Sequence, residues 1–183
     1  MPQRPLPSFI TLWERHKQLY LEVFSIALRE LSEKDFLSGD EDAISEILRL
    51  ILNRLGNPTS ASWNLNENYV INGIKRFDCK THEYGKRAPS GMMIGYIISM
   101  TPAEIEMEVN GYQKKHLPNC PHITFKSDVK TLFQTHQEIQ RRNVEPTQFE
   151  LIHLWVDLRD KYHKYYLKQK MEKIKGSMTF FWT

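Results

Sequence analysis

Two short pairs of possible metal ligands stand out in the chain, Cys79-x-x-His82 and Cys120-x-His122. Thiolates and imidazoles are the ligands of structural zinc, which wants four of them on rigid knuckles. The second pair has a single residue, Pro121, between its ligands, which is poor knuckle spacing. Unpaired thiols and surface histidines explain the same four residues, and both readings stay open. Carboxylates offer a second chemistry: Glu41 and Glu46 near a helix start, Asp78 beside Lys80, and Asp157 in the last apolar run. Carboxylates that converge on Mg²⁺, with a cation near the attacking water, hydrolyse phosphate esters. Each of these acids can equally be a surface charge. Nucleophilic catalysis has no signature: G-x-S-x-G is absent and Cys79 has no evident base to orient it. The glycines never group as a phosphate-binding loop requires.

The elements that must carry these residues fit one domain. A chain of 183 residues is long enough to bury a core without disulfides or metal. With 40% apolar and 26% charged residues, its composition is that of a soluble globular protein. Two cysteines make no disulfide framework, so a reducing cytoplasm is the expected location. No run approaches the roughly 18 apolar residues of a membrane span, and MPQRPLPSF lacks a signal peptide's apolar centre. A net charge of +3 permits a nucleic-acid partner without demanding one. The charge is uneven. The segment from Leu37 to Glu46 is acidic with no base, whereas Lys161 to Lys175 holds six lysines against one glutamate. A solvated helix face explains the lysine run; a surface that tracks phosphates is the functional alternative.

In chain order, residues 1–7 with their three prolines form an extended arm. Ser8 caps a helix to about Leu31, with Phe9, Leu12, Trp13, His16, Leu19, Tyr20, Val23, Phe24, Ala27, Leu28 and Leu31 on its apolar face. His16 on that face reads as packing. Ser38 with Glu41 has capping-box spacing and starts a second helix to about Asn53. Residues 54–64 read as a loop. Asn66 caps a third helix with Tyr69, Val70, Ile74 and Phe77 on one side, and Lys75 and Arg76 suit its C-terminal dipole. The loop 78–90 is polar and basic, with Lys80, His82, Lys86 and Arg87. Residues 91–98 read as a central strand whose glycines admit a neighbouring backbone.

Thr101-Pro102-Ala103-Glu104 is the clearest local signal: a cap, a first-turn proline and a closing glutamate. Its helix reaches about Lys115, before Pro118. Ile123 to Phe125 reads as a short strand. Residues 129–140 fit a helix or an edge strand, with strand favoured at 131–136. Phe149 to Leu158, FELIHLWVDL, reads as a buried strand with His153 and Asp157 on one face. The tail from Arg159 reads as a basic helix with Tyr162, Tyr165, Tyr166 and Leu167 as its contacts, ending in apolar MTFFWT. The expected division is therefore one domain over 1–183: an arm at 1–7, a helical part at 8–53, an α/β core at 66–158 and a basic, aromatic tail at 159–183.

The stretch 66–96 resembles a pattern in bacterial proteins of the PD-(D/E)xK nuclease superfamily. Tyr69-Val70, Gly73-Ile74 and Arg76-Phe77 match the family's helix, and Gly91, Met92, Gly95 and Tyr96 match the strand that follows it. Ser38 to Leu48 is similar to the superfamily's first helix, and FELIHLWVDL to its terminal strand. The resemblance covers about half the chain. It implies a restriction-endonuclease-like mixed sheet flanked by helices, with long N-terminal helices, and a prokaryotic, DNA-handling hydrolase assisted by Mg²⁺. Carried to this chain, it implies metal binding by Glu41, phosphate contact by Lys75, Arg76, Lys80, Lys86 and Arg87, and Asp78 with Lys80 as a catalytic pair. Asp78 would then share the metal with Glu41 if its loop folds back.

The chain departs from the family where catalysis would sit. Arg54-Leu55-Gly56 is similar to the tail of the family's E-x-K-R-L-G strand, which puts Ile51 in place of the metal-binding acid and Asn53 in place of the lysine. Two explanations stand: a trimmed relative with a binding role, or segments joined across missing residues near 52–66. A non-catalytic binding or assembly protein of a prokaryotic defence or mobile-element system is the rival function. The tyrosine-rich C-terminal segment would then serve as a homodimer interface.

Overall fold

The computed structural model describes residues 9–33, 64–129 and 131–179. In chain order these form α1 (Phe9–Glu33), a short α2 (Leu65–Asn68), β1 (Ser90–Ile97), α3 (Pro102–His116), β2 (Lys126–Val129), β3 (Leu132–Gln140), β4 (Gln148–Asp157) and α4 (Arg159–Thr179). The strands make a mixed sheet of order β1-β4-β3-β2. β1 runs parallel to β4, and β3 runs antiparallel to both β4 and β2.

FELIHLWVDL is the interior strand β4, and its alternation divides the core. Phe149, Leu151 and Trp155 face a cluster with Val70, Ile74 and Phe77, together with Ile105 and Val109 of α3. Leu154 and Val156, with Leu158 just beyond the strand, face Leu28 and Leu31 of α1, and Tyr162 and Tyr165 of α4 pack against that cluster. Both faces of β4 are therefore covered, which is why its sequence is almost wholly apolar. Each such buried aliphatic or aromatic side chain contributes about 1.5–3 kcal/mol.

The expected central strand at 91–98 is β1, and among the described residues it lies at the sheet's edge, paired only to β4. A run covered on both faces reads the same at an edge as in the middle, so sequence does not separate the two. Its glycines admit aromatic rings, not backbone. A Cβ on Gly95 would collide with the Trp155 indole, and one on Gly91 with the rings of Phe149 and Phe77. The strand expected at 131–136 is β3, extended to Gln140.

Ile123 to Phe125 is not a strand. Its backbone is held by side chains: Asn110 donates to Ile123 O at 2.9 Å and accepts from Ile123 N at 2.8 Å, and Glu106 accepts from Phe125 N at 2.6 Å. With those groups satisfied from α3, no ladder partner is needed.

The third helix is irregular. α2 passes into a π-type turn over Tyr69–Gly73 and a 3₁₀ turn over Ile74–Asp78. Its cap is Asn64, whose Oδ1 accepts from Glu67 N at 3.0 Å, not Asn66, whose amide reaches Glu108 of α3 at 2.9 Å. α3 carries the full capping box expected at Thr101 and Glu104, an arrangement that contributes about 1 kcal/mol.

α1 covers the expected span, and its expected face is inward only in part. Leu21, Leu28, Leu31 and Ser32 are buried, whereas Leu19, Tyr20, Val23 and Phe24 are exposed, Leu19 and Val23 at 54% each. Polar anchors fix this orientation: Lys17 pairs with Glu150 at 2.5 Å, and the Ser32 hydroxyl meets that of Thr131 at 2.9 Å. On α4, Tyr162 and Tyr165 pack as expected, but Tyr166 and Leu167 are exposed at 57% and 44%. The arm at 1–7, the Ser8 cap, the second N-terminal helix, residues 52–63 of the junction and the last residues of MTFFWT lie outside the described residues.

Candidate functional site

The basic loop after the 3₁₀ turn is clasped to the turn that joins β3 and β4. Asp78 Oδ1 accepts from the backbone N–H groups of Arg142 at 2.9 Å and Asn143 at 2.7 Å. Arg87 N donates to Glu145 O at 3.1 Å. Between these ends Arg141, only 1% exposed, threads its guanidinium under the loop. Its Nε donates to Pro146 O at 2.8 Å, and NH1 lies 3.4, 3.2 and 3.3 Å from the carbonyls of Phe77, Tyr84 and Gly85. The guanidinium stacks 4.0 Å from the centroid of the Phe149 ring, a cation–π contact in a desolvated setting. Gly85 has φ 66° and no room for a Cβ against that same ring, so both its freedom and its size are used. Sequence reasoning missed Arg141, because a basic residue in a polar turn gives no sign that the core will enclose it.

This clasp places the expected site residues. Lys75 and Asp78 line a cleft of about 280 Å³ together with His116, Asn119, Cys120 and Arg142. Lys75, Lys80, Arg87 and Arg142 are exposed. Among the described residues none of these four cations forms an ion pair. Arg76 reaches Asn72 Oδ1 at 3.4 Å, and Lys86 pairs with Glu83 at 2.7 Å. His116 is held by Glu67 at 2.8 Å. Glu41 and Glu46 lie outside the described residues. Asp157, the remaining acid considered for a metal, is taken by Arg159, whose NH2 lies 2.7 Å from its Oδ2.

The four candidate zinc ligands do not gather. Among the described residues no three His, Cys, Asp or Glu side chains come together to hold a metal ion. Cys120 instead accepts a long contact from Gln113 Nε2 at 3.6 Å, and burial pushes its thiol up to about 11.

Cys79 does have a base beside it, contrary to expectation. Two backbone bonds to Cys79 O, from His82 N at 3.1 Å and Glu83 N at 2.8 Å, fold the turn back over the cysteine. Its Sγ then lies 3.0 Å from Thr81 Oγ1 and 3.5 Å from His82 Nδ1, and Thr81 Oγ1 lies 3.1 Å from that same nitrogen. The Thr81 hydroxyl first, then the His82 ring, then the backbone N–H groups of both residues hold the Cys79 thiol down to about 6. The His82 ring meets Tyr84 edge-on at 5.8 Å. The Cys-x-x-His spacing was visible in the sequence; that the turn would close the pair on itself was not.

His153 is fully buried and has partners on both ring nitrogens. Nδ1 lies 2.8 Å from the Tyr69 hydroxyl and Nε2 lies 3.3 Å from Gln137 Oε1. An amide oxygen only accepts, so Nε2 carries the hydrogen and Tyr69 donates to Nδ1. Gln137 is itself anchored to the Pro121 carbonyl. His153 and Asp157 share a face of β4 but have separate partners. This is a satisfied core network.

Comparison with protein-family models, with curated proteins and with solved structures returns no match.

Proposed function

We propose that the chain is a DNA-handling protein that grips the phosphodiester backbone at the cleft between the 74–78 turn, the 116–120 loop and the β3–β4 turn. One observation carries this reading. Lys75 and Arg142 line the same cleft and face solvent without an ion pair among the described residues, while the Asp78 carboxylate beside them is turned to backbone N–H groups. Two exposed cations beside a carboxylate whose Oδ1 is already engaged form a setting for phosphate oxygens. The amides of Asn119, Gln140 and Asn143 in the same cleft can donate further hydrogen bonds. Lys80 and Arg87 continue the positive surface along the clasped loop.

Binding without cleavage is the form of this reading that the described residues support. Mg²⁺ is bound through one or two carboxylates with substrate phosphates, and Asp78 alone offers one free oxygen. Hydrolysis would require Glu41 to join it.

The test is fluorescence anisotropy of labelled duplex and single-stranded DNA over a salt series in EDTA. Affinity should fall with salt, and Lys75→Ala and Arg142→Ala should each reduce the log–log slope by about 1. The absence of salt-dependent binding to either form would end the reading. Plasmid nicking with Mg²⁺ that is lost in EDTA and in Glu41→Ala would move the conclusion to the hydrolytic form.

A further inference from the structure

We propose that the outward face of α1 is a homodimer interface, on which a second copy of this chain lays the same helix antiparallel. This inference does not rest on DNA binding. The core takes one side of α1 through Leu21 and Leu28, both buried and seven residues apart. By helical spacing the opposite side belongs to Phe9, Leu12, His16, Leu19, Val23 and Ile26, which follow one another at alternating intervals of three and four residues. These are the a and d positions of a heptad repeat, with Leu21 and Leu28 at f, the position that points away from the seam. Leu19, Val23 and Ile26 are exposed at 54%, 54% and 53%. Single exposed apolar residues are ordinary, but a row of them at seam spacing marks an interaction surface.

Charge selects the occupant and its direction. In an antiparallel pair each a position packs against a d position of the other helix, and the g positions flank one another across the seam. One register sets Phe9 beside the partner's Ile26, Leu12 beside the partner's Val23 and His16 beside the partner's Leu19, so every layer along residues 9–26 is filled. The same register brings Glu22 beside the partner's Arg15, and the twofold axis repeats that ion pair on the other side. Glu22 is exposed and among the described residues forms no ion pair. A parallel pair would set His16 against its own copy and Glu22 beside Ala27, with no such pairing. α4 also exposes Tyr166, Leu167 and Met171, but exposed Lys164, Lys168 and Lys170 surround them, and two such faces repel. The overlap is about 27 Å of helix, short for a coiled coil, so the dimer is reversible. The domain already holds α1 as a helix, and pairing bears no nucleation cost.

The experiment is sedimentation velocity on the full chain over about 1–100 μM, where the mass should move from one chain toward two as concentration rises. Val23→Glu should leave a monomer throughout, with the helical circular dichroism and urea midpoint of the diluted wild type. Glu22→Arg and Arg15→Glu should each weaken the dimer about tenfold or more, and the two together should restore it. That rescue belongs to paired copies of α1, because positions 15 and 22 of one helix are two turns apart and do not meet. A wild-type monomer at the top of the range would leave the face to another segment or partner and overturn the proposal. A dimer indifferent to Val23→Glu, or a double variant no better than either single one, would overturn it as well.

Discussion

The Tyr69 hydroxyl and His153 Nδ1 meet at 2.8 Å, joining the π-type turn to the centre of β4 across 84 positions of the chain. Beside this bond the Tyr69 ring packs 4.4 Å from that of Trp155, so one side chain serves both the polar network and the apolar core. Tyr69→Phe keeps the ring and leaves a buried imidazole nitrogen without its donor. The expected loss is about 1–3 kcal/mol, read as a lowered urea midpoint with unchanged slope. An unchanged midpoint would show that the hydroxyl does nothing for the fold.

The same histidine sets a pH dependence. Burial first, and the charge of His136 second, hold His153 down to about 3 from a usual 6.5. Between those values the unfolded chain binds a proton that the folded chain refuses. Stability therefore falls as pH falls through that window, by up to about 1.4 kcal/mol per unit from this group. Urea midpoints measured from pH 7 to pH 4 check the sign. His153→Gln should flatten the profile even though it lowers the midpoint at pH 7.

Arg141 is the residue on which the basic loop's shape depends. Arg141→Met keeps much of the apolar stem over Phe149 and removes every donor to Pro146, Phe77, Tyr84 and Gly85. The expected cost is about 3 kcal/mol. Amide exchange at residues 79–88 should rise further than exchange in α3. Equal protection of the loop in both proteins would mean that Asp78 and Arg87 suffice to hold it.

Several elements were legible because one physical cause dominated each. Thr101-Pro102-Glu104 starts a helix by local hydrogen bonding alone, and FELIHLWVDL announces a strand covered on both faces. Where two residues of equal chemistry competed, sequence could not choose. Asn64 and Asn66 both cap well; Asn64 takes the cap by accepting from Glu67 N, while the Asn66 amide donates to Glu108 instead. α1 carries apolar side chains on more than one face, Leu21 and Ile26 among them, so Lys17 and Ser32, through Glu150 and Thr131, help to set which of them turn inward. Ile123 to Phe125 looked like a strand because Asn110 and Glu106, which satisfy its backbone, lie on another element. The site was legible in part. Of the two cleft cations Lys75 is named from sequence and Arg142 is not, and the burial of Arg141 and the closure of His82 on Cys79 depend on tertiary placement.

The sheet's connectivity carries a consequence for assembly order. β3 and β4 are neighbours in sequence as well as in space, pairing from Gln140↔Gln148 outward, so their ladder can zip from its turn with little loop entropy to overcome. β1 pairs Ser90↔Glu150 through Ile97↔Asp157, a constant offset of sixty positions (150 − 90), and has no local nucleus to start from. The hairpin is expected to form first and offer β1 a finished template, with the indole of Trp155 waiting for Gly95. Pulse-labelled hydrogen exchange during refolding should find β3 amides protected before those of β1, and the reverse order would mean that the parallel pair nucleates the fold.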